Sequence, residues 1–199
     1  EARADLFGLY YLPDAKMREL GLTPHDDAYK AEYYSFMMNG LMTQLVRIEL
    51  GNNVEEAHMR NRQLIAKWVF EKGAGDKVVE LVKKEGKTFV KINDYDKLRD
   101  LFGQLLGEIQ RIKSEGDYEA ARQLVENCAV QVDPELHKEV LARYQKLNLA
   151  PYKGCVNPVY TAQKDAEGNI VDVTISYEEG YADQMLRYSR DYANLPYEN

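Results

Sequence analysis

Histidine and cysteine, two residue types that bind zinc in proteins, are scarce in this chain. There are three histidines and two cysteines among 199 residues. No histidine belongs to an HExxH or HxxEH pattern, so the sequence contains no complete zincin motif. Cys128 and Cys155 are too few and too far apart for a zinc ribbon or a CxxC redox motif, and we expect both to be buried thiols.

Long apolar runs and an excess of positive charge are also missing. No stretch approaches the roughly 20 apolar residues of a membrane span, and the nearest, 41–50, is interrupted by Arg47 and Glu49. The net charge is −7 and no basic stripe is present, so we expect neither a membrane nor a nucleic acid as partner. Because the chain has no initiator Met, we expect it to begin inside a longer protein. The localisation we expect is cytoplasmic, with export left open.

What the chain does have is apolar residues at regular spacing, which predict a mainly α fold with two short β-hairpins. Helices are predicted over 1–11, 13–20, 28–50, 54–72, 95–114, 118–127, 134–147 and 180–193. Strands are predicted over 78–83, 88–92, 156–163 and 170–176. A short helix over 78–83 is the alternative for the first of these. Gly51 to Asn53 are expected to end one helix and cap the next.

Gly40 stands inside the apolar stripe of the predicted helix 28–50. A glycine there costs about 1 kcal/mol relative to alanine, so we interpret it as the mark of a close helix crossing.

Among the histidines, only His58 has a neighbour that suggests chemistry. His25 begins one predicted helix and His137 lies in the second turn of another, and we expect both to be solvated. His58 lies one turn before Arg62, away from the apolar face of its helix. Glu55-x-x-His58 matches half of a di-iron carboxylate motif, but the chain has no second Glu-x-x-His. Helix position alone favours the interpretation that His58 and Arg62 lie at the surface or support a site without taking part in catalysis.

Two carboxylates one helical turn apart open the chain. Glu1 and Asp5 share one face of the first predicted helix, while Leu6, Leu9 and Tyr10 form its apolar side. Such a pair can hold a metal or orient its ligands. The alternative is an acidic first turn that complements the helix dipole.

This opening stretch, Glu-x-Arg-Ala-Asp followed by Gly-Leu-Tyr, resembles the second zinc motif of the dipeptidyl-peptidase III family. The stretches Glu-Ala-His-Met-x-x-Arg around His58, Lys-Ser-x-Gly-Asp at 113–117 and Tyr-Lys-Gly-Cys-Val-Asn-Pro at 152–158 are similar to others of the family. In that family the Glu completes a zinc site begun by an upstream His-Glu-x-x-Gly-His helix, which this sequence does not contain. The resemblance covers nearly the whole chain. It implies the C-terminal part of a zinc exopeptidase that starts inside the second zinc motif.

The resemblance also implies roles for five residues. Glu1 would be a zinc ligand, and Asp5 would fix a ligand histidine from the upstream segment. His58 would donate a hydrogen bond to the oxyanion of the tetrahedral intermediate, and Arg62 would bind the substrate or hold the site. Lys153 would pair with a peptide carboxylate. Tyr152 departs from the family, where a further basic residue is expected.

For the whole chain, the resemblance implies a helical part of the catalytic lobe over 1–149. It also implies a tail over 150–199, with a hairpin and a final helix, that packs on a second lobe. The expected function is a zinc-dependent dipeptidyl peptidase that releases dipeptides from the N-termini of oligopeptides. The intact enzyme would bind Zn²⁺, while this chain without the upstream part would bind none and be inactive. The alternative is a helical interaction domain without chemistry, whose 15 tyrosines favour a protein partner.

Overall fold

The structure, a computed structural model, describes residues 1–149 and 154–193, and within them the fold is mainly α, as predicted. The helices of this part are α1 (Ala2–Tyr11), α2 (Ala15–Glu19), α3 (Ala28–Leu41), α4 (Ala57–Lys72), α5 (Tyr95–Glu115), α6 (Tyr118–Val125), α7 (Pro134–Gln145) and α8 (Tyr181–Asp191). The strands are β1 (Val79–Lys84), β2 (Lys87–Ile92), β3 (Val159–Lys164) and β4 (Ile170–Ser176). Contacts between residues divide the chain into two units after Asn148. No helix of the described part is long and apolar enough to cross a membrane.

Helix α5 is the longest helix and supplies much of the core of the first unit. Its first turn is capped by Asp94, whose carboxylate accepts a hydrogen bond from the backbone N–H of Lys97. Its last turn is closed by Gly116, with φ of 68°. The buried side chains of the helix recur at helical spacing, namely Leu98, Leu101, Phe102, Leu105 and Ile112.

Tyr33 joins three helices in this core. It lies on α3, is fully buried, and donates a hydrogen bond from its hydroxyl to the carbonyl of Leu9 on α1, at 2.7 Å. Its ring meets the edge of Phe102 on α5, with centroids 5.1 Å apart. Burial raises the pKa of the Tyr33 hydroxyl.

Helices α3 and α4 cross at Gly40, as the sequence predicted. A Cβ atom at Gly40 would lie 2.6 Å from the Cβ of Ala66 and 2.6 Å from the carbonyl oxygen of Arg62. The absence of a side chain therefore lets the two helices approach closely.

The prediction of one helix over 28–50 is wrong, because α3 ends at Leu41 and a short 3₁₀ helix follows over Thr43–Arg47. The side-chain amide of Gln44 donates to the carbonyls of Gly40 and Met59, at 3.2 and 3.1 Å. In a continuing α-helix the carbonyl of residue 40 would instead pair with the backbone N–H of residue 44. The buried side chain therefore competes with the helical hydrogen bond.

The prediction that His137 is solvated is also wrong. His137 is 1% exposed, and its Nε2 atom lies 3.1 Å from the carbonyl of Leu45 and 3.0 Å from that of Ile48. Since carbonyl oxygens only accept, Nε2 carries the proton and donates to both. His137 thereby satisfies carbonyls at the end of the 3₁₀ helix, which explains its burial. His25 is exposed, as expected.

Helix α4 begins at Ala57 and is capped by Glu56, not by Gly51 to Asn53 as predicted. The backbone N–H of Val54 donates to the carbonyl of Val130 at 3.0 Å, which keeps this residue outside the helix. The first turn of α4 therefore starts three residues later than the sequence pattern indicates.

The first hairpin is formed by β1 and β2, so the helical alternative for 78–83 does not occur. Lys84 pairs with Lys87, and the two residues between them, Glu85 and Gly86, have φ of 52° and 72°. Two consecutive left-handed residues are typical of a tight hairpin turn.

The predicted helix over 118–127 continues as a π-helical segment, Glu126–Val130, which follows α6. Cys128 is buried in this segment, as expected. Cys155 is exposed, so the prediction that it is buried is wrong. It lies before β3, in the second unit, where residues 154–157 are all exposed.

The second unit has its own hydrogen-bonded centre at Gln184, on α8. This buried side chain donates to the carbonyl of Cys155 at 2.8 Å and accepts from the backbone N–H of Asn157 at 2.5 Å. Strands β3 and β4 pair in antiparallel fashion and are exposed along almost their whole length.

Candidate active site

Glu1 and His58, predicted from the resemblance as a metal ligand and an oxyanion donor, lie side by side. Glu1 immediately precedes α1 and His58 is in the first turn of α4. The distance between Oε2 of Glu1 and Nδ1 of His58 is 3.2 Å. The exposed fractions of the two side chains are 45% and 65%, so a ligand can reach both from solvent.

Asp5, one turn after Glu1, is paired with a residue that the sequence did not single out. Its Oδ2 atom accepts a hydrogen bond from Nδ2 of Asn61 on α4, at 2.5 Å. Asp5 is half-buried and Asn61 is 8% exposed. This inner pair lies one turn along both helices from the pair formed by Glu1 and His58.

A sequence signal for Asn61 did exist. It precedes Leu64, Ile65 and Trp68 at helical spacing, so it is a polar residue on the apolar face of α4. Buried polar side chains are nearly always hydrogen-bonded, and this position therefore called for a partner. Nothing in the local pattern indicates that the partner is Asp5.

Arg62 follows His58 by one turn and is half-buried. None of the hydrogen bonds and ion pairs of the described residues involves its guanidinium group. Its positive charge helps to lower the pKa of Glu56. The structure therefore leaves the guanidinium of Arg62 available to a ligand.

The cap of α4 fixes the backbone that carries His58. The Glu56 carboxylate accepts hydrogen bonds from the N–H groups of His58 and Met59, both at 2.9 Å. These hydrogen bonds hold the pKa of Glu56 below its usual value, and the one from the His58 N–H has the largest effect. The carboxylate thus stays charged and the first turn of α4 stays ordered.

The residues present fit part of a zinc site. A catalytic zinc takes about three protein ligands. Across 1–149 and 154–193 there is no group of three or more His, Cys, Asp or Glu side chains that could hold a metal ion. Glu1 fits as one carboxylate ligand, and Asp5 lies one turn away, where a carboxylate can orient a ligand imidazole. The Oδ1 atom of Asn61 is buried at the same place and has no partner among the described residues.

Lys153, predicted to pair with a peptide carboxylate, lies outside the described residues, as does Tyr152.

The model of peptidase family M49 matches residues 1–184, a range that includes Glu1, Asp5, His58 and Arg62. No curated protein matches the chain.

Proposed function

Because the chain belongs to peptidase family M49, the dipeptidyl-peptidase III family, we propose that it is part of a zinc-dependent peptidase that releases dipeptides from oligopeptide N-termini. The observation that carries this proposal is the distance of 3.2 Å between Glu1 and His58 on two different helices, at an open surface. Both residues lie within the range that the family model matches. The partners are an oligopeptide substrate and the N-terminal part of the same protein, and the compartment is the cytoplasm.

We propose that Glu1 supplies one carboxylate ligand of the zinc. The other ligands and the general base would come from the family's His-Glu-x-x-Gly-His helix, a motif that this sequence does not contain. Zinc, when bound, polarises the scissile carbonyl and activates a water molecule.

The proposed role of His58 is to donate a hydrogen bond to the oxyanion that forms on the scissile carbonyl. Its imidazole is exposed and lies beside Glu1, so a scissile carbonyl that binds next to Glu1 would lie near this donor. Arg62, on the same face one turn later, would bind a carbonyl or carboxylate of the peptide. Lys153 is proposed to pair with a peptide carboxylate on the strength of the resemblance alone.

We further propose that 1–149 belongs to the catalytic lobe and that 150–199 packs on the second lobe. On this proposal the chain without the N-terminal part hydrolyses no peptide, since the general base and most zinc ligands lie outside it.

The substitution His58→Phe in the intact peptidase tests this function. An oxyanion donor acts mainly in the transition state, so we expect kcat to fall by roughly a hundredfold to a thousandfold. We expect KM and zinc content to change little, because His58 is neither the main substrate contact nor a ligand. Steady-state kinetics and metal analysis measure all three quantities.

The control is His25→Phe, since His25 is an exposed histidine far along the chain from the site, and we expect its kinetics to match the wild type. Loss of zinc in His58→Phe would make His58 a metal ligand instead. Unchanged turnover would contradict the catalytic role of His58. Absence of dipeptide release by the wild-type protein would favour an interaction domain without chemistry.

A further inference from the structure

Two side-chain pairs connect α1 to α4, one helical turn apart. The outer pair is formed by Glu1 and His58, at 3.2 Å, and the inner pair by Asp5 and Asn61, at 2.5 Å. Glu1 and Asp5 are spaced i, i+4, while His58 and Asn61 are spaced i, i+3, so each helix presents both residues on one face. The outer pair is exposed, whereas in the inner pair Asp5 is half-buried and Asn61 is buried.

The orientation of the Asn61 amide follows from its neighbour. Carboxylate oxygens accept hydrogen bonds, so the amide nitrogen of Asn61 faces Oδ2 of Asp5 and the amide carbonyl points away from it. This hydrogen bond occupies one oxygen of Asp5. The other oxygen, Oδ1, has no hydrogen bond within the described part of the chain.

The carbonyl oxygen of the Asn61 side chain, Oδ1, also lacks a partner: it is buried and has no hydrogen bond among the residues that the structure describes. Buried polar atoms without a partner are uncommon in native proteins and call for an explanation. An N–H or O–H group that arrives when the site is completed would provide one.

We propose that Asn61 is a positioning residue of the peptidase site. Its amide holds Oδ2 of Asp5, so that Oδ1 of Asp5 is presented to the imidazole that this carboxylate orients. Oδ1 of Asn61 accepts a hydrogen bond from the segment that completes the site. The proposal rests on the proposed function, and it adds a residue that touches neither substrate nor metal.

The substitution Asn61→Leu in the intact peptidase tests the proposal, because leucine has a similar shape but neither donor nor acceptor. Loss of a group that hydrogen-bonds a metal ligand typically costs 10–100-fold in metal affinity. Because Asn61 acts one hydrogen bond further out, through Asp5, we expect the dissociation constant for zinc to rise by about 10-fold, the lower end of that range. Competition with a chelator measures it. We expect kcat to fall while KM changes little. Circular dichroism checks folding, and Asn61→Ser gives the same measurement if the leucine variant does not fold.

The matched control is Gln44→Leu. Gln44 is another buried amide with an unpartnered carbonyl, and its hydrogen bonds go to the carbonyls of Gly40 and Met59 and not to Asp5. Its loss should lower stability and leave the dissociation constant for zinc unchanged. An equal loss of zinc in both variants would overturn the positioning role.

The two proposals fail in different ways. Wild-type zinc affinity in Asn61→Leu, together with loss of kcat in His58→Phe, would overturn the role of Asn61 and leave the proposed function intact. A wild-type protein that neither binds zinc nor releases dipeptides would overturn both.

Discussion

At the scale of single residues, buried polar side chains bind backbone carbonyls where helices of this protein end. His137 donates to two carbonyls at the end of the 3₁₀ helix. The side-chain amide of Gln44 donates to the carbonyl of Gly40, near the end of α3. Carbonyls at a helix end lack the backbone partner that they would have inside an α-helix. The carbonyl of Leu45 keeps a hydrogen bond from the backbone N–H of Ile48, at 3.1 Å, in addition to that from His137. Polar side chains therefore help to satisfy such carbonyls where they are buried.

The substitution His137→Phe removes such a donor while it keeps an aromatic ring. We expect the free energy of unfolding to fall by about 1–3 kcal/mol. The part-buried carbonyl of Ile48 loses its side-chain donor, and the carbonyl of Leu45 keeps only the backbone N–H of Ile48. Urea unfolding measures the change. His25→Phe is the control, since substitution of an exposed residue changes stability by no more than about 0.5 kcal/mol. Equal effects would contradict the structural role of His137.

At the scale of elements, α4 carries both the close crossing with α3 and the residues of the candidate site. Helix α4 carries His58, Asn61 and Arg62 on the turns that face α1 or solvent, while Ala66 and the backbone of Arg62 meet Gly40.

The substitution Gly40→Ala tests the crossing. Alanine favours the helix by about 1 kcal/mol, but its Cβ would lie 2.6 Å from Ala66 and from the carbonyl of Arg62. Overpacking of this kind costs typically about 1–3 kcal/mol, so we expect a net loss of stability. Thermal unfolding of the variant measures it.

The control for this crossing is Gly107→Ala in α5, where an added Cβ would meet nothing within 4 Å. There the helix preference acts alone, and we expect a gain of about 0.4–1 kcal/mol. A gain of stability in both variants would show that the α3–α4 contact is loose enough to accept a methyl group.

At the scale of the whole molecule, the two units differ in how much of their backbone is covered. The first unit has a core of side chains from α1, α3, α4, α5 and the first hairpin. The hairpin of the second unit, β3 and β4, is exposed along almost its whole length. A two-stranded hairpin is at best marginally stable when little packs against it.

Hydrogen exchange should therefore distinguish the units. We expect amides of β3 and β4 to exchange faster than those of α5 around Phe102, because local opening needs less free energy where few apolar contacts are lost. Mass spectrometry of the chain after exchange measures the two segments side by side. Equal protection would mean that the hairpin opens only together with the first unit.

Zinc binding by the whole chain can be measured directly. We expect this chain on its own to bind zinc more weakly than micromolar, since one carboxylate from Glu1 does not replace the usual protein ligands of a catalytic zinc. Equilibrium dialysis at neutral pH tests it. Stoichiometric binding tighter than micromolar would require a site made from other residues.

Local chemistry in the sequence determined much of the secondary structure. Asp94 before an apolar stripe begins α5, and Glu85-Gly86 between two β-branched runs makes a tight hairpin turn. These features act over a few residues, so they can be recognised without knowledge of the fold. The family motif around Glu1 and His58 was likewise visible, although their distance was not.

Contacts between distant parts of the chain decided the rest. His137 reaches a carbonyl 92 residues away, and Asn61 reaches Asp5 across 56 residues. The end of α3, the burial of His137 and the pairing that supports the site all depend on which helices pack together. Residue pattern indicates that a polar side chain on an apolar face needs a partner, but only tertiary packing brings that partner within hydrogen-bonding distance.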